Sequence, residues 1–250
     1  MAANPIIDEI YKTRIVRDAS GNEYKLSAEV DSVEGDYLYR LISSDVLIKK
    51  TLEVGCASGL SSLHICEALR TRPGVSHVII DPYQTDVWHG VGVANLERAN
   101  IGFFRLISEP SELALPDLLR TQPESFDFIF IDGWHTFDHT MLDIFYANRL
   151  VRVGGYIAID DCSWTAVSAA VSYYGNYPSY EQLRRPAMLA HTWQQRLARI
   201  ARVVLPPGVA QMILPVGIYD RVYRRMSYPS MVVFKKIAED TRSWTWFKPF

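Results

Sequence analysis

Thr51-Leu52-Glu53-Val54-Gly55-Cys56-Ala57-Ser58-Gly59 is an apolar run that stops at a glycine, passes through three small residues to a second glycine, and leads into the amphipathic segment Leu60–Arg70. Its pattern reads as strand, tight turn and helix, the unit from which an open α/β sheet builds a nucleotide-sized crevice. Glycines let the backbone approach a ligand where a Cβ would collide, and the free N–H groups of the next helix point at the same place.

Spacing and charge narrow the ligand. A dinucleotide fingerprint has three glycines in G-x-G-x-x-G, with a pyrophosphate on the helix N-terminus. Here the spacing is G-x-x-x-G, and Glu53, two residues before Gly55, suits a cationic or amine-bearing ligand better than a pyrophosphate. The stretch resembles the first motif, E/D-x-G-x-x-x-G, of the class I S-adenosylmethionine-dependent methyltransferases. That resemblance implies cofactor contacts at Glu53, Gly55, Cys56, Ala57, Ser58 and Gly59. An ordinary glycine-containing turn is the competing reading.

Later segments follow in the order the resemblance implies. Val78-Ile79-Ile80-Asp81 is a short apolar strand ending in an acid about 20 residues beyond the turn, where such folds place a carboxylate for the ribose hydroxyls. Asp81 is the ribose candidate; the alternative is a cap for a helix starting near Tyr83. Phe103–Ile107 reads as a third strand. Ser111, after Glu109-Pro110, matches the place of the family's adenine contact, although Glu109 stands where glycine is usual.

Phe126-Asp127-Phe128-Ile129-Phe130-Ile131-Asp132-Gly133-Trp134-His135 is a strand buried on both faces, with polar residues at its carboxyl end, where α/β sheets bind ligands. Thr136 can cap the next helix, whose inward stripe is expected at Met141, Leu142, Phe145 and Leu150, while His139 is expected on that helix's surface. Gly154-Gly155 leads into Tyr156-Ile157-Ala158-Ile159 and then Asp160-Asp161. The whole resembles the branch of metal-dependent sugar and macrolide O-methyltransferases. It implies Mg²⁺ at Asp132, Asp160 and Asp161, with Asp132 and His135 as catalytic residues, though Trp134 stands where several relatives carry another acid. Clustered carboxylates need a cation, and hard oxygen ligands suit Mg²⁺. An imidazole at the cleft mouth can accept a hydroxyl proton near neutral pH. Against this stand Asp132 as a cofactor contact with Asp160 or Asp161 capping a helix near Ser163, and His135 as a group orienting Asp132 or hydrogen-bonding the substrate.

The expected fold is a Rossmann-like, doubly wound, mostly parallel seven-stranded sheet with helices on both faces and a C-terminal antiparallel strand pair. Residues 1–48 are expected as a helical cap over the cleft and 49–250 as the catalytic domain. An insert over 176–228 would form a lid or acceptor pocket. At 250 residues and 48% hydrophobic content the chain can bury a core unaided. A net charge of −2 gives no pull toward nucleic acid. Three cysteines without a C-x-x-C pair, and an N-terminus lacking a signal-peptide core, lead us to expect a cytoplasmic protein.

Between Glu181 and Arg225 lie eight arginines against Glu181 and Asp220 alone. Trp193, Leu197, Ile200 and Val204 fall on one helical stripe, which suits a lid, a dimer contact or an anionic membrane surface. Tyr173, Tyr174, Tyr177 and Tyr180 are expected to line an acceptor wall. The expected function is methyl transfer from S-adenosylmethionine to a hydroxyl of a small molecule (a sugar, a polyketide or another natural product). The expected partners are that acceptor and a second copy of the chain in a homo-oligomer. A catalytically silent methyltransferase-like binding protein and a nicotinamide-dependent oxidoreductase are the alternatives.

Overall fold

The computed structural model describes residues 4–183 and 230–249, together with positions 205, 209 and 212. The basic stripe from Trp193 to Val204 lies outside the described residues. A helix, Pro5–Thr13 (α1), is capped by the Asn4 side chain, and a short hairpin of Ile15–Arg17 (β1) with Glu23–Lys25 (β2) follows. The next helix, Ser32–Ser44 (α2), starts from a capping box in which Asp31 and Glu34 satisfy each other's backbone N–H groups. The N-terminal region thus carries a hairpin as well as the expected helix.

Strands Lys50–Val54 (β3), Ser76–Ile80 (β4), Phe104–Ile107 (β5), Phe126–Ile131 (β6) and Val151–Ile159 (β7) run parallel. Tyr180–Gln182 (β8) and Val232–Lys236 (β9) complete a seven-stranded sheet in the order β5-β4-β3-β6-β7-β9-β8, with β9 antiparallel to both neighbours. This is the expected architecture, except that β8 lies inside the stretch assigned to the insert. Helices Leu60–Leu69 (α3), Val91–Arg98 (α4), Ser111–Thr121 (α5), Phe137–Leu150 (α6) and Thr165–Tyr174 (α7) cover the two faces. Among the described residues no helix is long and apolar enough to cross a membrane.

Every residue of β6 is buried, so its side chains alternate between two cores. Ile129 and Ile131 pack with Ile144, Ala147 and Val167 from α6 and α7, while Phe128 and Phe130 pack with Leu38 and Ile42 of α2. Each such burial stabilises the fold by about 1.5–3 kcal/mol. Lys236 is also buried, its ammonium donating to the carbonyls of Asn148 and Val151 (both 3.1 Å), which fastens β9 to the α6–β7 junction.

Three local expectations are corrected. No α-helix starts near Tyr83: residues 82–89 form turns, and α4 begins at Val91. In α6 the buried residues are Thr140, Asp143, Ile144, Ala147, Asn148 and Leu150, whereas Phe145 is exposed. Leu150 is buried and Met141 and Leu142 pack against the core as expected, so the correction is Phe145, together with the polar Thr140, Asp143 and Asn148 that hydropathy left out of the stripe. Tyr174, Tyr177 and Tyr180 sit in the core, with Tyr174 packed edge-on to Phe234, and Tyr173 lies against Trp246. None of them is among the residues that line the cavity at the carboxyl edge of the sheet.

The turn after β3 fixes the register of everything around it. Gly55 has φ +86°, and a Cβ there would stand 2.0 Å from the Asp132 carbonyl oxygen. Gly55→Ala should therefore lower stability by about 3 kcal/mol, read as a shifted urea midpoint; an unchanged midpoint would show that the turn and the end of β6 are not in contact.

Candidate active site

Five parallel strands deliver their carboxyl ends to one edge, and a cavity of about 560 Å³ opens there. Its wall includes Gly55 and Ala57 from the turn after β3, Asp81 after β4, Pro110 and Ser111 after β5, Asp132 to His135 after β6, and Asp160 and Asp161 after β7. Ala28, Glu29 and Glu34 close it from the N-terminal region.

Asp81 is the anchor of this edge. It is 3% exposed, and its Oδ2 accepts from the N–H groups of Cys56 (3.1 Å) and Ala57 (2.9 Å) and from Gln84 Nε2 (2.9 Å). Its Oδ1 accepts from the Tyr83 N–H (2.8 Å), which gives the local turn that the sequence alternative anticipated as a helix cap. One carboxylate therefore shapes the glycine turn and still faces the cavity.

Glu53 occupies a different position. It is fully buried beneath the turn, bonded to the Ser62 hydroxyl and 3.0 Å from His77 Nε2, while His77 Nδ1 lies 2.8 Å from Thr51 Oγ1. Glu53 Oε1 has no hydrogen-bond partner among the described residues, and Glu53 is not among the residues that line the cavity. Cys56 and Ser58 are likewise buried and contribute backbone: Cys56 its N–H to Asp81, Ser58 its carbonyl to Asn95 Nδ2 (2.9 Å). Gly59 packs against Gly92, where a Cβ would come within 2.8 Å of a carbonyl oxygen.

At the β6–β7 end, ligand atoms of Asp132, His135 and Asp161 all lie within 4.8 Å of one another. His135 Nε2 is 3.4 Å from Asp132 Oδ1 and 3.3 Å from Asp161 Oδ2. Asp160 lines the same cavity but stands outside that trio, its Oδ1 accepting from the Asp161 N–H (2.8 Å). Neither acid caps the following helix, because α7 starts after Trp164 with no side-chain cap. Asp161 instead adopts φ +50°, an unfavourable conformation for a non-glycine residue.

Charge is the main physical feature here. Burial pushes the Asp132 carboxyl up to about 6, with the bond to His135 opposing it. Burial raises Asp160 well above the carboxylate range, and Asp132 and Glu34 add to the effect. Burial also raises Glu34. His135 is raised by its hydrogen bond to Asp132. No Lys or Arg among the described residues lines the cavity. Crowding these acids into one cavity disfavours their being ionised together.

The sequence reading missed Glu34, His139 and the aromatic mouth. His139 lines the cavity, and Thr136, the α6 N-cap, has its Oγ1 2.8 Å from His139 Nδ1. Trp134 and Trp164 are more than half exposed at the rim, and the Trp164 ring lies 5.4 Å from that of His135.

Residues 52–162 match the family model described as a methyltransferase domain. Tapetum-specific methyltransferase 1 of Arabidopsis thaliana is 26% identical over 186 residues, 73% of each chain. A probable caffeoyl-CoA O-methyltransferase of Dictyostelium discoideum is 28% identical over 130 residues, which is 49% of this chain and 52% of that protein. Among solved structures, an O-methyltransferase from Bacillus cereus in complex with SAH is similar with a TM-score of 0.57 at 20% identity, covering 71% of this chain and 82% of that one. The O-methyltransferase TomG of Streptomyces achromogenes, in complex with SAM, has a TM-score of 0.53 at 15% identity, covering 84% and 82%.

Removing the Asp81 carboxylate orphans two N–H groups of the turn. Asp81→Ala should cost about 2–4 kcal/mol in urea unfolding even without ligand; a wild-type midpoint would mean that the turn holds its shape without this acid.

Proposed function

We propose that this chain, a class I S-adenosylmethionine-dependent methyltransferase, transfers the methyl group to a hydroxyl of a small molecule, with a divalent cation at the acidic end of the cavity. The observation that carries this reading is the continuity of one cavity from the glycine turn and Asp81 to the Asp132, His135 and Asp161 trio. The names of the similar O-methyltransferases support an oxygen acceptor.

The bound cofactor supplies an electrophilic methyl on a sulfonium, so the protein's task is positioning. Asp81 faces the middle of the cavity, where a ribose between the two ends of an adenosyl ligand would meet it. The backbone at Gly55 and Ala57 leaves room beside it. A hydroxyl acceptor gains reactivity from deprotonation. His135 is the group placed to take that proton, and its two carboxylate neighbours also keep it protonated more readily than a free imidazole. A divalent ion held by Asp132 and Asp161, with Asp160 beside them, would offset those charges and lower the pKa of a coordinated hydroxyl. The donor set of hard oxygens fits Mg²⁺ or Mn²⁺. Half-exposed Trp164 offers a flat apolar surface to the acceptor at the rim.

Two measurements test this. Calorimetry should show S-adenosylhomocysteine binding to the wild-type protein and binding at least about tenfold weaker to Asp81→Asn; equal affinities would remove Asp81 from the site. Mn²⁺ titration should show a site that Asp161→Asn weakens, and whose affinity falls about tenfold per pH unit below 6, as a proton competes for Asp132. Turnover untouched by a chelator, together with no measurable Mn²⁺ binding, would rule out the cation.

A further inference from the structure

Asp143, on the second turn of α6, is 1% exposed, and among the described residues neither of its carboxylate oxygens is held by a well-formed hydrogen bond; the Ser111 hydroxyl beside it is the donor placed to make one. An orphaned buried carboxyl costs about 1–3 kcal/mol or more, and native structures keep few such groups without a use. Its neighbours belong to the cavity. A Cβ on Gly133 would stand 3.4 Å from Asp143 Oδ2, and Ser111, Glu112 and His139 all act on its charge. All four of these residues line the cavity. Burial pushes the Asp143 carboxyl up to about 7, with the Ser111 hydroxyl beside it working in the opposite direction.

The sheet order says which end of the ligand lies here. From β5 across β4, β3 and β6 to β7, the carboxyl edge presents Ser111, Asp81, the glycine turn, Asp132 and finally Asp160-Asp161. If the acidic end takes the sulfonium and acceptor, and Asp81 the ribose, the purine lies at Ser111.

We propose that Asp143 is a positioning residue that makes the cavity selective for a 6-aminopurine: its carboxylate takes the Ser111 O–H and so turns the Ser111 lone pairs toward the exocyclic amino group of adenine. A hydroxyl has one proton to give, and committing it to Asp143 leaves the oxygen purely an acceptor on its ligand side. A 6-oxopurine would present an acceptor to that acceptor. Glu112 on α5 and His139 on α6 are the other titratable groups facing Asp143 from the elements around it. This inference rests on the reading of the cavity as an adenosyl site.

The test compares S-adenosylhomocysteine with S-inosylhomocysteine, its 6-oxo counterpart, by calorimetry on the full chain. Wild type should prefer the adenosyl ligand at least about tenfold. Ser111→Ala and Asp143→Val should each bring the ratio to within about threefold of one, the double variant should lose no more, and Asp143→Asn, which keeps an acceptor, should retain most of the preference. A folded Asp143→Val, or Ser111→Ala, with undiminished preference overturns the proposal. Should Asp143→Val fail to fold, the wild-type ratio between pH 8.5 and 5.5 decides: it should fall below about 7, as Asp143 gains a proton, and stay flat in Ser111→Ala. A pH-independent wild-type ratio would sink the relay. Absence of any S-adenosylhomocysteine binding to wild type would instead defeat the adenosyl reading itself.

Discussion

The carbonyl oxygen of Asp132 occupies the space where a side chain at residue 55 would begin. That contact is possible only because the chain leaves β3 with a positive φ and no Cβ. It brings the end of β6 against the glycine turn, so that the backbone of the turn and the acidic side chains share one wall. Asp81 completes the arrangement from the other side, holding the turn by two N–H groups. A mismatch at Gly55 would therefore disturb both halves of the cavity together.

The strand order converts that local contact into a linear site. Because β3 lies between β4 and β6, and β5 and β7 flank those, chemical groups that are far apart in the chain become consecutive along one edge. The chain needs no dedicated binding domain for this. It needs short parallel strands whose last residues differ in chemistry: a serine after one, an aspartate after the next, glycines, then acids.

The legible part of the sequence was the part in which local pattern and global fold agree. Apolar runs ending in Gly55, Asp81, Asp132 and Asp160 marked four strand ends, and all of those residues reach the cavity wall. What stayed hidden depends on contacts distant in the chain. Glu34 reaches the cavity from α2 because Leu38 and Ile42 dock that helix over Phe128 and Phe130, nearly a hundred residues away. His139, expected on the surface of α6, lines the cavity while staying partly exposed, and Asp143, one turn further along, is buried. Glu53 illustrates the reverse: the acid of the glycine motif is beneath the turn, shielded by His77 and Ser62, where a motif alone does not distinguish support from contact. The tyrosines of α7 and β8 had the composition of a binding wall and the environment of a core.

Electrostatics then constrains the chemistry more tightly than shape does. Asp132, Asp160, Asp161 and Glu34 face one volume with His135 beside them, and burial, with repulsion from neighbouring acids added to it, raises the carboxyls of Asp132, Asp160 and Glu34. His135 lies within hydrogen-bonding reach of two of these acids, so its ring nitrogen has competing uses. If Nε2 joins Asp132 and Asp161 on a cation, that lone pair is no longer open to a proton, and activation of the acceptor must come from the cation alone. If the cation is held by carboxylates only, the His135 imidazole would lose the acidic partners that raise it and its nitrogen would stay open to a proton. The two arrangements use the same residues but differ in where the hydroxyl proton goes. Under the proposed reading, the second would keep the proton within the protein.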